Sequence, residues 1–175
     1  FDGSCPKISL METLNFFSHW DLRLDELPGL HLDLRQEKRH AQALSVFIDI
    51  PHAVHVLMRP QGGWIDIETL WHELGHGLSA VFTDGSLPAF IRNMSTNYSL
   101  SEAYAFLLQN AAMSRPFLTG HLGVAPADAE ILNHHKMLRD LAAFRRYAAK
   151  FIAEVDMFSS GALADGDPYA RVMLR

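Results

Sequence analysis

His72-Glu73-Leu74-Gly75-His76 sets two imidazoles four residues apart, with a carboxylate beside the first. On a helix, residues four apart share a face, so both rings point to one side and can bind a single Zn²⁺ through neutral ring nitrogens. Glu73, one step round the helix, borders the same cleft without being a ligand. There it can serve as general base, taking a proton from a water whose pKa the metal lowers as that water attacks a carbonyl. The chain holds 10 histidines. That raises the prospect of metal chemistry and of a chance match alike, so the motif is weighed by its context.

A catalytic zinc site takes three protein ligands and keeps one position open. In metzincins a Gly and a third His follow at fixed spacing; Ser79 and Phe82 stand at those positions here. A cysteine ligand, as in peptide deformylases, would have to be Cys5, the single cysteine of the chain. A glutamate from a downstream helix is the third possibility, and Glu102 follows His76 by 26 residues. Two roles compete for it. Ser99-Leu100-Ser101-Glu102 is a capping-box pattern, in which the glutamate bonds back to the serine amide. The histidine helix before it favours the ligand role. Glu68 and Asp84 are weaker candidates, and Glu68, one turn before His72, can instead orient an imidazole.

The elements that must position these residues read as an α+β arrangement, mainly α with a small β-sheet. Leu10 to Trp20 is a helical piece, Pro28-Gly29 a turn, and His31 to Leu34 a short alternating strand. Gln36 to His40 is a charged loop. Ser45 to Ile50 and Val54 to Met58 are two strands joined by a tight turn, a β-hairpin ahead of the helical core. A helix over Ile67 to Phe82 carries an apolar stripe of Leu70, Leu74, Leu78 and Val81, with Trp71 and Leu74 as core anchors. Gly75 and Gly77 reduce bulk near the metal. A second helix spans Tyr98 to Met113, with Leu100, Ala103, Leu107 and Ala111 on its stripe. A third begins at Pro126, has a stripe of Leu138, Leu141, Phe144, Ala148, Phe151 and Val155, and stops at Gly161. One domain over 1–175 is expected, strand-containing to 63 and helical from 64.

Composition excludes several classes. With 175 residues, 49% apolar and 20% charged, the chain can bury a core and is not disordered. A net charge of −5 without a basic block speaks against a nucleic-acid partner. No apolar run approaches a membrane span. A lone thiol suits the cytoplasm. The opening at Phe1 and the stop after Val172-Met173-Leu174 suggest a piece of a longer protein.

Thr69-Leu70-Trp71-His72-Glu73-Leu74-Gly75-His76-Gly77-Leu78 resembles the zinc helix of the thimet oligopeptidase and oligoendopeptidase F family. Tyr98-Ser99-Leu100-Ser101-Glu102-Ala103-Tyr104-Ala105-Phe106-Leu107 is similar to the helix that carries that family's glutamate ligand. Leu32-Asp33-Leu34 and Val54 to Gly63 resemble the strands before it, so the likeness covers about Leu30 to Asn110. It implies a zincin-like, mostly helical peptidase acting on short, unstructured peptides, with Zn²⁺ on His72, His76 and Glu102 and Glu73 as base. The family is several times longer, and its oxyanion-stabilising tyrosine and histidine lie well downstream of the glutamate. No such motif precedes Arg175, and Tyr98, Tyr104 and Tyr169 read as structural.

Zinc-dependent hydrolysis of a peptide substrate is therefore the leading expectation. The alternatives are a non-catalytic helical zinc-binding or interaction domain, and an amidase with Cys5 at the metal. Val54 to Met58 is expected to be the sheet edge that holds substrate. His52 and His55 read as a solvated pair beside the turn, His134-His135 and Arg145-Arg146 as helix surface, and His121-Leu122-Gly123 as loop.

Overall fold

A computed structural model describes residues 9–35, 43–93 and 97–160. The chain divides into two units, Phe1–Ala129 and Glu130–Arg175. Among the described residues the first holds every strand and most helices: α1 (Leu10–Leu14) running into a 3₁₀ turn at Asn15–Trp20, β1 (Leu30–Asp33), β2 (Ala43–Asp49), β3 (Ala53–Met58), α2 (Trp64–Val81), α3 (Ala89–Asn93) and α4 (Ser99–Ala112). A π-helical turn at Phe117–His121 leads to α5 (Pro126–Ser160), which runs into the second unit. The protein is mainly helical with one small sheet, an α+β class. No helix among the described residues is long and apolar enough to cross a membrane.

The hairpin forms where the alternating pattern sets it, with β2 antiparallel to β3 and a bulge between Phe47 and Asp49. β1 joins β3 in parallel, so the order is β1-β3-β2. β3 is therefore the central strand and not the edge that Val54 to Met58 was expected to supply. A hairpin alone leaves one side of β3 unpaired, and the earlier strand fills it: the Val54 amide donates to Gly29 O at 2.8 Å as β1 begins. Val54, Val56 and Met58 alternate inward and are buried, the period-two signature of a one-sided strand. On the other face His55 stacks on His31, ring centroids 4.6 Å apart.

α2 lies between this sheet and α4. Trp71, Leu70 and Leu74 are fully buried, as the stripe predicts. Trp71 packs on Phe17 and Phe117, and its indole N–H donates to Thr13 Oγ1 at 3.2 Å. The two glycines beside His76 serve packing rather than open space near a metal. A Cβ at Gly77 would lie 2.8 Å from Val56 Cγ2 of the sheet, and one at Gly75 would lie 2.4 Å from Ala105 Cα of α4. Helix α2 thus touches both neighbours at near-backbone distance.

That close approach explains why the buried face of α4 differs from the expected stripe. Ala105, Gln109 and Ala112 are buried, whereas Leu100 and Leu107 are largely exposed. Only small or polar-partnered residues fit against Gly75, so the large apolar ones turn away. Leu100, Tyr104 and Leu107 instead border a surface groove with Leu78 and Phe82. On α5 the stripe of Leu138, Leu141, Phe144, Phe151 and Val155 is likewise exposed. Periodicity marks a face that suits a partner but cannot say that one covers it. His134, His135, Arg145 and Arg146 are exposed as expected, while His121 ends the π-helical turn instead of standing in a loop. Gly161 and Gln36 to His40 lie outside the described residues.

Gly75→Ala should destabilise the protein even though alanine is the better helix former. The propensity gain is about 1 kcal/mol, while overpacking against backbone costs about 1–3 kcal/mol or more. Urea denaturation should show a net loss. Gly85→Ala, whose Cβ would meet nothing nearer than 3.7 Å, should be close to neutral and serves as the control.

Candidate metal centre

His72 and His76 project from one face of α2, one turn apart, as their spacing requires. α4 crosses α2 at the Gly75–Ala105 contact and carries Glu102 in its first turn. The three side chains converge. His72 Nε2 and His76 Nε2 lie 3.2 Å apart. Glu102 Oε2 is 3.8 Å from His72 Nε2, and Glu102 Oε1 is 3.7 Å from His76 Nε2. Each residue offers one ligand atom, all within 4.8 Å of one another.

The donor chemistry fits a transition metal. Zinc bonds to nitrogen and carboxylate oxygen at about 2.0–2.2 Å, which spaces tetrahedral donors about 3.3–3.6 Å apart. The two imidazole nitrogens lie just under that range, and the nearest Glu102 oxygen to each, a different atom in the two cases, lies just over it. Two imidazoles and one carboxylate form the nitrogen-and-oxygen set that suits Zn²⁺. Among the described residues only these three form such a group. Burial holds the His76 imidazole below its ordinary value of 6.5; His72 pushes the same way, and Glu102 and Glu73 oppose. The neutral, ligating form is thereby favoured.

Around the cluster, His72 Nδ1 lies 2.7 Å from Gln109 Oε1, and the Gln109 amide donates to Glu68 Oε1 at 2.7 Å. His76 Nδ1 lies 2.8 Å from Ser101 Oγ. Glu73 is not part of the donor cluster. Its Oε2 accepts from Ser45 Oγ of β2 at 2.6 Å, so its carboxylate is tied to the sheet beside the two histidines.

Of the four sequence-selected residues, His72, His76 and Glu102 meet in one place, while the Glu73 carboxylate is bonded to Ser45 of β2. The capping role for Glu102 does not form, because the Ser99 amide donates to Asn97 Oδ1. Glu68 is no ligand; it is buried behind Gln109. Asp84 accepts from the Ser86 amide in its own turn. Tyr98 is largely exposed, and Tyr104 faces the groove. Cys5 and Tyr169 lie outside the described residues. Three neighbours went unnoticed in the sequence: Ser45, Ser101 and Gln109. Gln109 was within reach, since it sits two turns after Glu102 on the same face. Ser45 was not, because its role depends on how β2 registers against α2.

No family model matches the chain, and neither a curated protein nor a solved structure matches it.

The lowered His76 pKa has a consequence for the metal-free protein. Between the folded pKa and 6.5 the unfolded chain binds the proton and the native state does not. Stability therefore falls as pH drops through that window. Chemical denaturation across pH 5–7.5 should show this slope, and His76→Gln should flatten it. An unchanged slope in the variant would remove His76 as its source.

Proposed function

We propose that this chain is the zinc-dependent catalytic core of a metallopeptidase that cleaves short peptides, a zincin-like domain of the glutamate-ligand type akin to thimet oligopeptidase and oligoendopeptidase F. The observation that carries the reading is the convergence of His72, His76 and Glu102, supplied by two helices, beside a glutamate that is not a ligand. His72 Nε2, His76 Nε2 and a Glu102 carboxylate oxygen would hold the metal. Bound zinc supplies a Lewis acid that polarises a carbonyl and acidifies a water.

The remaining work falls to side chains of this chain. Ser45 occupies Glu73 Oε2, which leaves Oε1 to receive the proton of the attacking water. The same atom then returns that proton to the departing amine nitrogen as the carbon–nitrogen bond breaks. Among the described residues β2, not β3, is the sheet edge nearest this chemistry: it ends the strand order and carries Ser45. An extended peptide added along β2 through main-chain hydrogen bonds would bring an amide past Glu73. A short or unstructured peptide offers such a free strand most readily, which supports that class of substrate. The single cysteine is in keeping with a cytoplasmic setting.

A non-catalytic zinc or interaction domain is the competing reading, drawn from the exposed apolar faces of α4 and α5. Metal analysis by mass spectrometry joined to a peptide-cleavage assay separates the two. Wild type should carry about one zinc per chain, and Glu102→Ala should lose most of it. Glu73→Gln should keep the zinc and lose peptide hydrolysis by about 10²–10⁴-fold. Zinc retained without any cleavage that Glu73→Gln diminishes would favour the non-catalytic domain. No zinc in the wild type would end the metallopeptidase reading.

A further inference from the structure

We infer that Glu68 and Gln109 are positioning residues that lock His72 into one tautomer and so make its Nε2 a permanent metal donor. The inference rests on the zinc reading above and adds residues to it that the histidine motif does not contain. Glu68 and Gln109 are both buried, with relative exposures of 3% and 8%. Burying a carboxylate and an amide is costly unless each meets a partner. Here the partners form a line: Glu68 Oε1, Gln109 Nε2, Gln109 Oε1, His72 Nδ1, with 2.7 Å at both junctions.

The direction of that line follows from chemistry alone. A carboxylate only accepts, so the Gln109 NH₂ group must face Glu68. The Gln109 carbonyl oxygen then faces His72, and it too only accepts. His72 Nδ1 must therefore carry a hydrogen, and in the neutral ring Nε2 carries the lone pair. That lone pair is the atom that meets His76 and Glu102. A buried carboxylate on the preceding turn of α2 thus decides, through a residue of α4, which nitrogen of the neutral His72 ring can ligate. Hydrogen bonding at Nδ1 also raises the donor strength of the ring.

His76 is held differently. Its Nδ1 meets Ser101 Oγ, and a hydroxyl can donate or accept. Ser101 accommodates either tautomer and selects neither. The two histidines are consequently unequal: His72 is fixed in advance, and His76 adapts. Loss of Gln109 should weaken metal binding more than loss of Ser101.

The test uses the whole chain and zinc alone, with affinity measured by competition against a chromogenic chelator. Nitrogen-15 NMR of the metal-free protein reads the His72 tautomer, its signal identified by its loss in His72→Gln. Gln109→Leu should weaken zinc binding about 10–100-fold, and His72 should become a mixture of tautomers. Ser101→Ala should cost less and leave the His72 signal alone. Should Gln109→Leu fail to fold, Glu68→Gln keeps the volume while removing the group that orients the amide. It should give weaker zinc and mixed tautomers too. The exchange Glu68→Gln with Gln109→Glu restores an acceptor at His72 Nδ1 and should recover both readouts. Unchanged zinc affinity in folded Gln109→Leu or Glu68→Gln, or a His72 that stays wholly Nδ1-protonated in them, overturns the inference. A wild type that binds no zinc instead defeats the zinc reading on which it rests.

Discussion

The contact between Gly75 and Ala105 is the constraint on which the site depends. α2 supplies two histidines and α4 supplies a glutamate, and the donor atoms must meet within a few ångströms. A side chain at Gly75 would strike the backbone of Tyr104 and Ala105. The absence of that side chain lets α4 lie close enough for Glu102 to reach both imidazoles and for Gln109 to reach His72. Gly77 does the same toward the sheet, where Val56 fills the space its Cβ would take. A helix interior normally loses about 1 kcal/mol for each glycine relative to alanine. Here the loss is offset by contacts that a larger residue would prevent.

Core packing fixes the remaining freedom of α2. Trp71 is fully buried among aromatic rings and bonded to Thr13. It lies one residue before His72, so rotation of the helix about its axis would tear the indole from its pocket before it moved the imidazole. At the start of the same helix, Asp66 Oδ2 accepts from the Gln61 and Gly62 amides and closes the loop that enters it. Buried polar groups therefore hold the helix at its first turn, at its middle and at the histidines. Each such group is expensive without a partner and directional with one. Apolar burial sets where α2 lies; these bonds set how it is turned.

The sequence was most informative where a single element carries the information. The spacing of His72 and His76, the stripe of Leu70 and Leu74, and the alternation of Val54, Val56 and Met58 each follow from one local period. It misled where two elements decide together. The large residues Leu100 and Leu107 suggested the buried face of α4, yet the buried face is the small one because Gly75 lies opposite. β3 looked like an edge because β1 precedes it by more than twenty residues and nothing in either strand announces the pairing. Glu102 matched both a cap and a ligand; the cap bond does not form, since the Ser99 amide is served by Asn97, and the carboxylate lies beside both histidines. Ser45 is invisible to any local pattern, since its bond to Glu73 exists only once sheet and helix are packed.

The charges at the centre point the same way as its distances. Burial favours the neutral His76 ring, and Gln109 directs the His72 lone pair inward. Two nitrogens 3.2 Å apart can share a proton between them. Adding a carboxylate within 3.8 Å of both gives three donors aimed at one region, and one proton cannot bond to all three. A divalent cation can, because it accepts lone pairs from several directions at once. The Glu102 side chain is also the most exposed of the three, at 47% against 21% and 15% for the histidines. The cluster is therefore more buried on the α2 side and more exposed on the α4 side.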